Sequence, residues 1–240
     1  MARSTATRGA PRTLCIDIGG SGIKAMVVSA RGTALTERLR VETPRPATPR
    51  AVSAALRKIL PDRSAFDRVS VGFPGVVVDG VVHTAVNLHP AWVGHDLATA
   101  ILKATGRPTR VLNDAGMQGF GVIAGRGTEI CVTLGTGFGF SLFVDGRYVP
   151  NVELGHHPFR KGRTYEELLG TKGLERLGKK RWNRMLARAI DQLRRTFNFR
   201  ALYLGGGNSR LVDLELPRDV KIVDNVAGLL GGVKLWGADR

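Results

Sequence analysis

One stretch of this sequence occurs twice. CIDIGGSGIKAMVV, Cys15 to Val28, aligns without a gap with CVTLGTGFGFSLFV, Cys131 to Val144, at an offset of 116 residues. Cys15 meets Cys131, Gly19 meets Gly135 and Val28 meets Val144. Each copy reads as an apolar strand, a glycine-rich turn and a second strand. The offset is about half of the 240-residue chain. The simplest architecture is two similar lobes, each opening with the same hairpin. The copies differ where the first has Asp17 and the second Thr133. The hairpin therefore does not need a carboxylate to fold. A carboxylate in an apolar strand is costly unless something satisfies it, so Asp17 has a task, and a metal ion is the first candidate.

The rest of the chain alternates strand-like and helix-like runs, as an α/β protein does. Strands are expected at Thr13–Ile18, Ile23–Ser29, Ala34–Val41, Arg68–Phe73 and Arg110–Asn113, with helices at Ala51–Leu60 and His95–Thr105. Asp114 is placed to cap the helix that follows. In the second half, strands are expected at Ile130–Leu134, Gly139–Val144, Arg147–Val149, Ala201–Leu204 and Val220–Val223, with helices at Trp182–Phe197 and Val226–Leu235. This divides the chain into a disordered basic tail (1–12), an N-terminal α/β lobe (13–113) and a C-terminal α/β lobe (114–240) whose final helix can pack back on the first. The tail lacks the apolar core of a secretion signal, and no apolar run is long enough to span a bilayer. Two cysteines in apolar strands suggest neither a disulfide framework nor a cysteine zinc site, and the cytoplasm is the expected compartment.

Several residues suit phosphate chemistry. Glycine turns let backbone N–H groups approach an anion closely. Gly19-Gly20-Ser21-Gly22 and Gly135-Thr136-Gly137 could each form such a cradle, with Lys24 adding positive charge. An ordinary hairpin turn is the bland reading of either one; the matched pair beside Asp17 favours phosphate. No GxxxxGK[ST] loop occurs, and the first glycine turn leads into a strand rather than a helix, which disfavours P-loop and dinucleotide folds. Asn113-Asp114 ends a strand and could supply a general base beside an orienting amide. Glu153 and His156, three apart with glycine between them, suit neighbouring sugar hydroxyls, but a His-rich loop also serves to bind metal or simply faces solvent.

Taken in order, DIGGSGIK (Asp17–Lys24), GFPG (Gly72–Gly75), LNDAG (Leu112–Gly116), LGTGFG (Leu134–Gly139), ELGHHPF (Glu153–Phe159) and LGGGNS (Leu204–Ser209) resemble the ROK (repressor, ORF, kinase) family, from about Thr13 to Leu235. The resemblance implies a two-lobed ribonuclease-H-like (actin/hexokinase) fold with a central cleft. It implies that Asp17 helps hold Mg²⁺, that both glycine turns hold donor phosphates, and that Asp114 is the general base. Asn87, Asn113, Asp114, Glu153 and His156 would hold the sugar, and Gly205, Gly206 and Gly207 would line a nucleotide region. Many members follow ELGH with a CxCGxxGCxE zinc site; here HPFRKGRTYEELLG follows, so zinc is not expected. The polyphosphate glucokinases of the family lack that site too. The twelve residues before the first strand cannot hold the helix-turn-helix of family repressors.

The formal net charge of +16 points to anionic partners. Between Pro158 and Arg200 thirteen basic residues stand against four acidic ones. Lys179, Lys180, Arg181, Arg184 and Arg188 could track an extended polyanion outside the cleft. The expected reaction is phosphorylation of glucose at its 6-hydroxyl, with polyphosphate, ATP or both as donor. Rival readings are an ATP-dependent kinase for another hexose (mannose, fructose or a hexosamine) and a non-catalytic sugar sensor. Specific nucleic-acid binding has charge alone behind it, and a homodimer rests only on the resemblance.

Overall fold

A computed structural model describes residues 10–224 and 227–237. Strands β1 (Thr13–Ile18), β2 (Gly22–Val28), β3 (Leu39–Glu42), β4 (Arg68–Phe73) and β7 (Thr109–Asn113) form a five-stranded sheet in the order β3-β2-β1-β4-β7. A small hairpin, β5 (Val77–Val78) and β6 (Val81–Val82), lies between β4 and β7 in sequence. Strands β8 (Thr128–Leu134), β9 (Phe138–Val144), β10 (Arg147–Val149), β13 (Ala201–Gly205) and β14 (Val220–Ile222) form the second sheet, in the order β10-β9-β8-β13-β14. A second hairpin, β11 (Pro158–Arg160) and β12 (Arg163–Thr164), precedes its helices. In both large sheets the first three strands are antiparallel and the last two join in parallel. The duplication seen in the hairpins thus extends to the whole sheet. This is the two-lobed ribonuclease-H-like architecture.

The ungapped repeat hides a shift of one residue. Cys15 pairs with Met26, whose sequence counterpart is Leu142, yet Cys131 pairs with Ser141. Ile18 pairs with Ile23 across four residues, whereas Leu134 pairs with Phe138 across three. Asp17 therefore faces Lys24, while Thr133 faces Gly139. The missing side chain is needed there, because a Cβ on Gly139 would collide with the Thr133 hydroxyl.

Local signals account for the helices. In α1 (Pro49–Arg57) Thr48 accepts from the N–H of Ala51, proline opens the first turn, and Val52, Ala55 and Leu56 face the core. Asp96 caps α2 (Leu97–Thr105), and Gly106 ends it at φ 69°. Thr164 and Glu167 form a capping box at α4 (Tyr165–Leu169), which leads into α5 (Thr171–Leu177). In α6 (Lys179–Phe197), Trp182, Leu186, Ala189, Ile190 and Leu193 form a buried stripe, and the basic residues take the outer face.

Some boundaries move. Leu39–Glu42 replaces the longer strand expected from Ala34, which makes only an isolated bridge to Val28. Asn113, not Asp114, caps α3 (Asp114–Val122), its side chain accepting from the N–H groups of Ala115 and Gly116. That leaves one Asp114 oxygen on the N–H of Ala115 and the rest of the group turned to the cleft. The final helix is five residues, α7 (Ala227–Gly231), followed by a 3-10 turn at Lys234–Trp236; Val226 lies outside the described residues. The first nine residues of the expected tail also lie outside them, and Arg12, its last residue, is tied to Asp67.

The chain end returns to the first sheet. Leu229 and Val233 pack with Cys15, Met26 and Val28. Ser70 Oγ donates to the carbonyl of Gly232 at 2.7 Å and accepts from Trp236 Nε1 at 2.9 Å. The Arg68 and Arg110 guanidiniums lie 5.1 and 4.6 Å from the Trp236 ring. Helix α7 also crosses α3 at backbone contact: a Cβ on Gly231 would collide with the carbonyl of Met117 and lie 2.6 Å from the Gly121 nitrogen. Neither backbone group can swing aside, so Gly231→Ala must push the helices apart. We expect a loss of about 1–3 kcal/mol, read as a lowered midpoint in thermal unfolding; an unchanged midpoint would show that the two helices separate without cost.

Candidate active site

The hairpin turns and the carboxyl ends of β4, β7 and β13 meet in a cleft of about 420 Å³, where ligands commonly bind in open α/β sheets. Asp17, Gly19, Gly20, Ser21, Lys24, Asn87, Asn113, Asp114, Gly135, Thr136, Gly137, Glu153, His156, Gly206 and Gly207 all line it. Two expected residues do not line it. Gly22 is turned away, its carbonyl taking the N–H of Gly19 at 3.0 Å. Gly205 is packed behind the Gln118 side chain. None of Lys179, Lys180, Arg181, Arg184 and Arg188 reaches the cleft.

In each glycine turn several carbonyls are engaged, and two N–H groups stay unspent among the described residues. In the first, Thr43 Oγ1 donates to Gly19 O at 2.5 Å and Arg40 to Ser21 O at 3.3 Å. Gly20 and Ser21 donate to no acceptor among the described residues. In the second, Gly135 O accepts from the N–H and hydroxyl of Thr171 and from Asn208 Nδ2. The N–H groups of Thr136 and Gly137 are likewise unspent among the described residues. Free donors with the opposing carbonyls pinned behind them suit an anion. Asn87 stands between the turns: its carbonyl is 3.5 Å from the Cβ that Gly20 lacks, and its amide nitrogen 3.4 Å from that of Gly137.

Other lining groups are carboxylates, amides and an imidazole. Asn113 Nδ2 donates to the Gly75 carbonyl and to Glu153 Oε1, each at 3.3 Å, and His156 Nε2 lies 3.8 Å from Glu153 Oε2. Burial pushes the Glu153 carboxyl up, His156 works against this, and Glu166 adds to it. Asp114 is raised further, to about 7, by burial first and the Asp17 charge second. A carboxylate with that pKa can take a proton near neutral pH. Lys24 lines the cleft with one of its three ammonium donors already engaged. Its ammonium is 2.7 Å from Asp17 Oδ2, which also accounts for a carboxylate in that strand.

Sequence reasoning missed Glu166, Gln118, Thr171 and Asn208, which all line the cleft. For Glu166 a signal exists. Glu167 is the capping-box acid, so the glutamate before it has no local duty. Its carboxylate sits against Gly137 and accepts from the N–H of Phe138 at 3.4 Å.

Among the described residues no three His, Cys, Asp or Glu side chains converge as a metal cage. Mg²⁺ asks for less: one or two carboxylates, with substrate phosphates completing its shell. Asp17, beside a phosphate-suited turn and within the field of Asp114, fits that mode.

The family model described as "ROK family" matches residues 13–165. Polyphosphate glucokinase of Mycobacterium tuberculosis is 30% identical over 93% of this chain and 91% of its own. The crystal structure of the inorganic polyphosphate/ATP-glucomannokinase of Arthrobacter sp. strain KM superposes with a TM-score of 0.84, at 32% identity, covering 95% of this chain and 98% of that one. The Streptomyces griseus ROK glucokinase, solved with glucose and AMPPNP, has a TM-score of 0.76 at 23% identity, over 93% and 98% of the two chains, and supports the fold alone. With a family model over more than half its length and relatives of this identity over nearly all of it, the chain belongs to the ROK family.

Proposed function

We propose that this protein phosphorylates glucose at its 6-hydroxyl, with inorganic polyphosphate as donor and ATP as an alternative. The observation that carries the reading is the split chemistry of the cleft. N–H donors of two glycine turns suit an anion, and the Glu153 carboxylate with the His156 imidazole suits a polyhydroxylated neutral ligand, while Glu166 and Asn87 stand beside Gly137 at the second turn. Asp114 lies where the two halves meet. It takes the proton of the attacking hydroxyl, and the glycine turns hold the phosphate oxygens as charge develops on them. Asp17 would hold Mg²⁺, which when bound draws negative charge from those oxygens. Closure of the lobes, divided at Asn113 and Asp114, excludes water from the transfer. Gly207, where an added Cβ would meet no described atom within 4 Å, leaves room for a nucleotide base, and Gly206 lies close against the Leu134 backbone. The two buried free thiols, Cys15 and Cys131, suit a reducing cytoplasm.

The names of the Mycobacterium and Arthrobacter proteins support polyphosphate as donor and mannose as a second acceptor to test. A parallel assay of glucose and mannose with polyphosphate and with ATP, each with Mg²⁺, decides the reading. Turnover of neither sugar with either donor would overturn it.

The basic face of α6 is our candidate path for a long donor. Lys179 is tied to Asp213 at 3.1 Å, whereas Lys180, Arg181, Arg184 and Arg188 are exposed and have no ion pair among the described residues. A groove of about 360 Å³ beside Arg188 adds Arg160 and Arg195. Reversing Arg181, Arg184 and Arg188 to Glu should raise KM for long polyphosphate about tenfold or more and leave KM for ATP unchanged. An equal change with ATP, or none with polyphosphate, would remove the track.

A further inference from the structure

We infer that Arg40, a cation beside the first glycine turn with no ion pair among the described residues, is a donor-binding residue and holds a phosphate of the donor chain that is not transferred. The inference rests on the cleft being a phosphoryl-transfer site.

A turn that cradles phosphate through N–H groups gains from a nearby cation, and Lys24 is the obvious one by sequence. Its ammonium gives one of its three donors to Asp17 at 2.7 Å, and that ion pair offsets its charge. Arg40 is its cross-strand neighbour, paired with Lys24 in the register of β2 and β3. Its guanidinium is exposed, makes no ion pair among the described residues, and donates to the carbonyl of Ser21 at 3.3 Å. That contact leaves most of the fork's five donors unspent. It also fixes the cation on the turn whose Gly20 and Ser21 N–H groups are free.

The sequence makes room for this placement. The Cβ that Gly22 lacks would lie 2.8 Å from Arg40 Nε, 2.9 Å from Nη2 and 3.1 Å from Cζ. No positive φ demands glycine at this position. The guanidinium occupies the space that a side chain would otherwise fill. Arg40 does not line the cleft beside Asp114, so it reaches the donor outside the transferring group. A polyphosphate or the tail of a nucleoside triphosphate has such a phosphate; the sugar does not.

Arg40→Met should raise KM for the phosphoryl donor about tenfold, the scale of a lost charge-assisted hydrogen bond, and leave KM for glucose within about twofold. Arg40→Lys should recover part of the loss. Gly22→Ala keeps the charge but displaces the guanidinium, so it should shift donor KM in the same direction. Binding of tripolyphosphate, measured by calorimetry without sugar, should weaken in parallel, and the salt dependence of that binding should flatten by about one contact in Arg40→Met. Wild-type protein that turns over neither sugar yet binds tripolyphosphate through Arg40 would sink the kinase reading and keep the anion site. Active wild type with unchanged donor KM and tripolyphosphate affinity in Arg40→Met would overturn the inference. So would a rise in glucose KM equal to that for the donor.

Discussion

Asp114→Asn is expected to lower kcat by about 10²–10⁴-fold, the usual contribution of a positioned general base, while the protein stays folded. The physical case is the carboxyl's own discomfort. Burial, and next the Asp17 charge, lift its pKa from 3.8 to about 7. At neutral pH a large share is ionised, in a place where ionisation costs stability. The native state therefore holds a proton that the unfolded chain releases between about pH 4 and pH 7. Wild-type stability should fall as pH rises through that window, and the asparagine variant should lack this slope. At pH 8 the variant should melt no lower than wild type. For wild type, kcat/KM should decline as pH drops below about 7, since protonated Asp114 cannot accept the hydroxyl proton. Near-normal turnover in Asp114→Asn would end the assignment, and activity lost together with the fold would make the residue structural.

The parts of this site that are legible in the sequence are those written in adjacent residues. Asn113 and Asp114 stand side by side at a strand end, and Glu153 and His156 share one turn. Both glycine turns announce themselves through the repeat, because a hairpin copied at half-chain spacing marks a duplicated lobe. What distance in sequence conceals is the pairing of charges. That Lys24 pairs with Asp17 follows from a four-residue turn that sets their register, and an ungapped alignment cannot display it. Arg40 is hidden in a stretch that reads as one long strand, where it looks like any surface arginine. Glu166 is masked by its neighbour Glu167, whose capping role is local and therefore readable. Gly22 and Gly205 group with their glycine neighbours in sequence, although packing turns one toward Arg40 and the other toward Gln118. The final helix is shorter than its apolar periodicity suggests, because the chain turns after Gly231 to place Trp236 between two arginines of the first sheet.

The largest stability effect is expected outside the cleft, at Glu129. Its side chain is 1% exposed. Its carboxylate accepts from the N–H groups of Ala124, Gly125 and Arg126 at 2.8, 2.6 and 3.0 Å, and from the Tyr203 hydroxyl at 2.8 Å. Burial works against its charge, yet these donors outweigh it and hold the carboxyl below the usual glutamate range. The three N–H groups belong to the loop that leads from α3, the helix opening with Asp114, into β8. Glu129→Ala removes the acceptor of all four donors at once. We expect a loss of about 3 kcal/mol or more, which for a chain of this size lowers the melting midpoint by about 6–12 °C. Because the folded pKa is depressed, the stabilisation is full above the ordinary glutamate pKa and fades as pH falls through the folded value. The gap between wild type and variant should therefore narrow in acid, below about pH 4. Glu129 does not line the cleft, so kcat of the folded variant at low temperature should stay within about twofold of wild type. A midpoint within about 2 °C of wild type (about 0.5–1 kcal/mol on the same scale) would mean that water replaces the carboxylate without penalty, and that the loop beneath the helix of the general base is held by its packing instead.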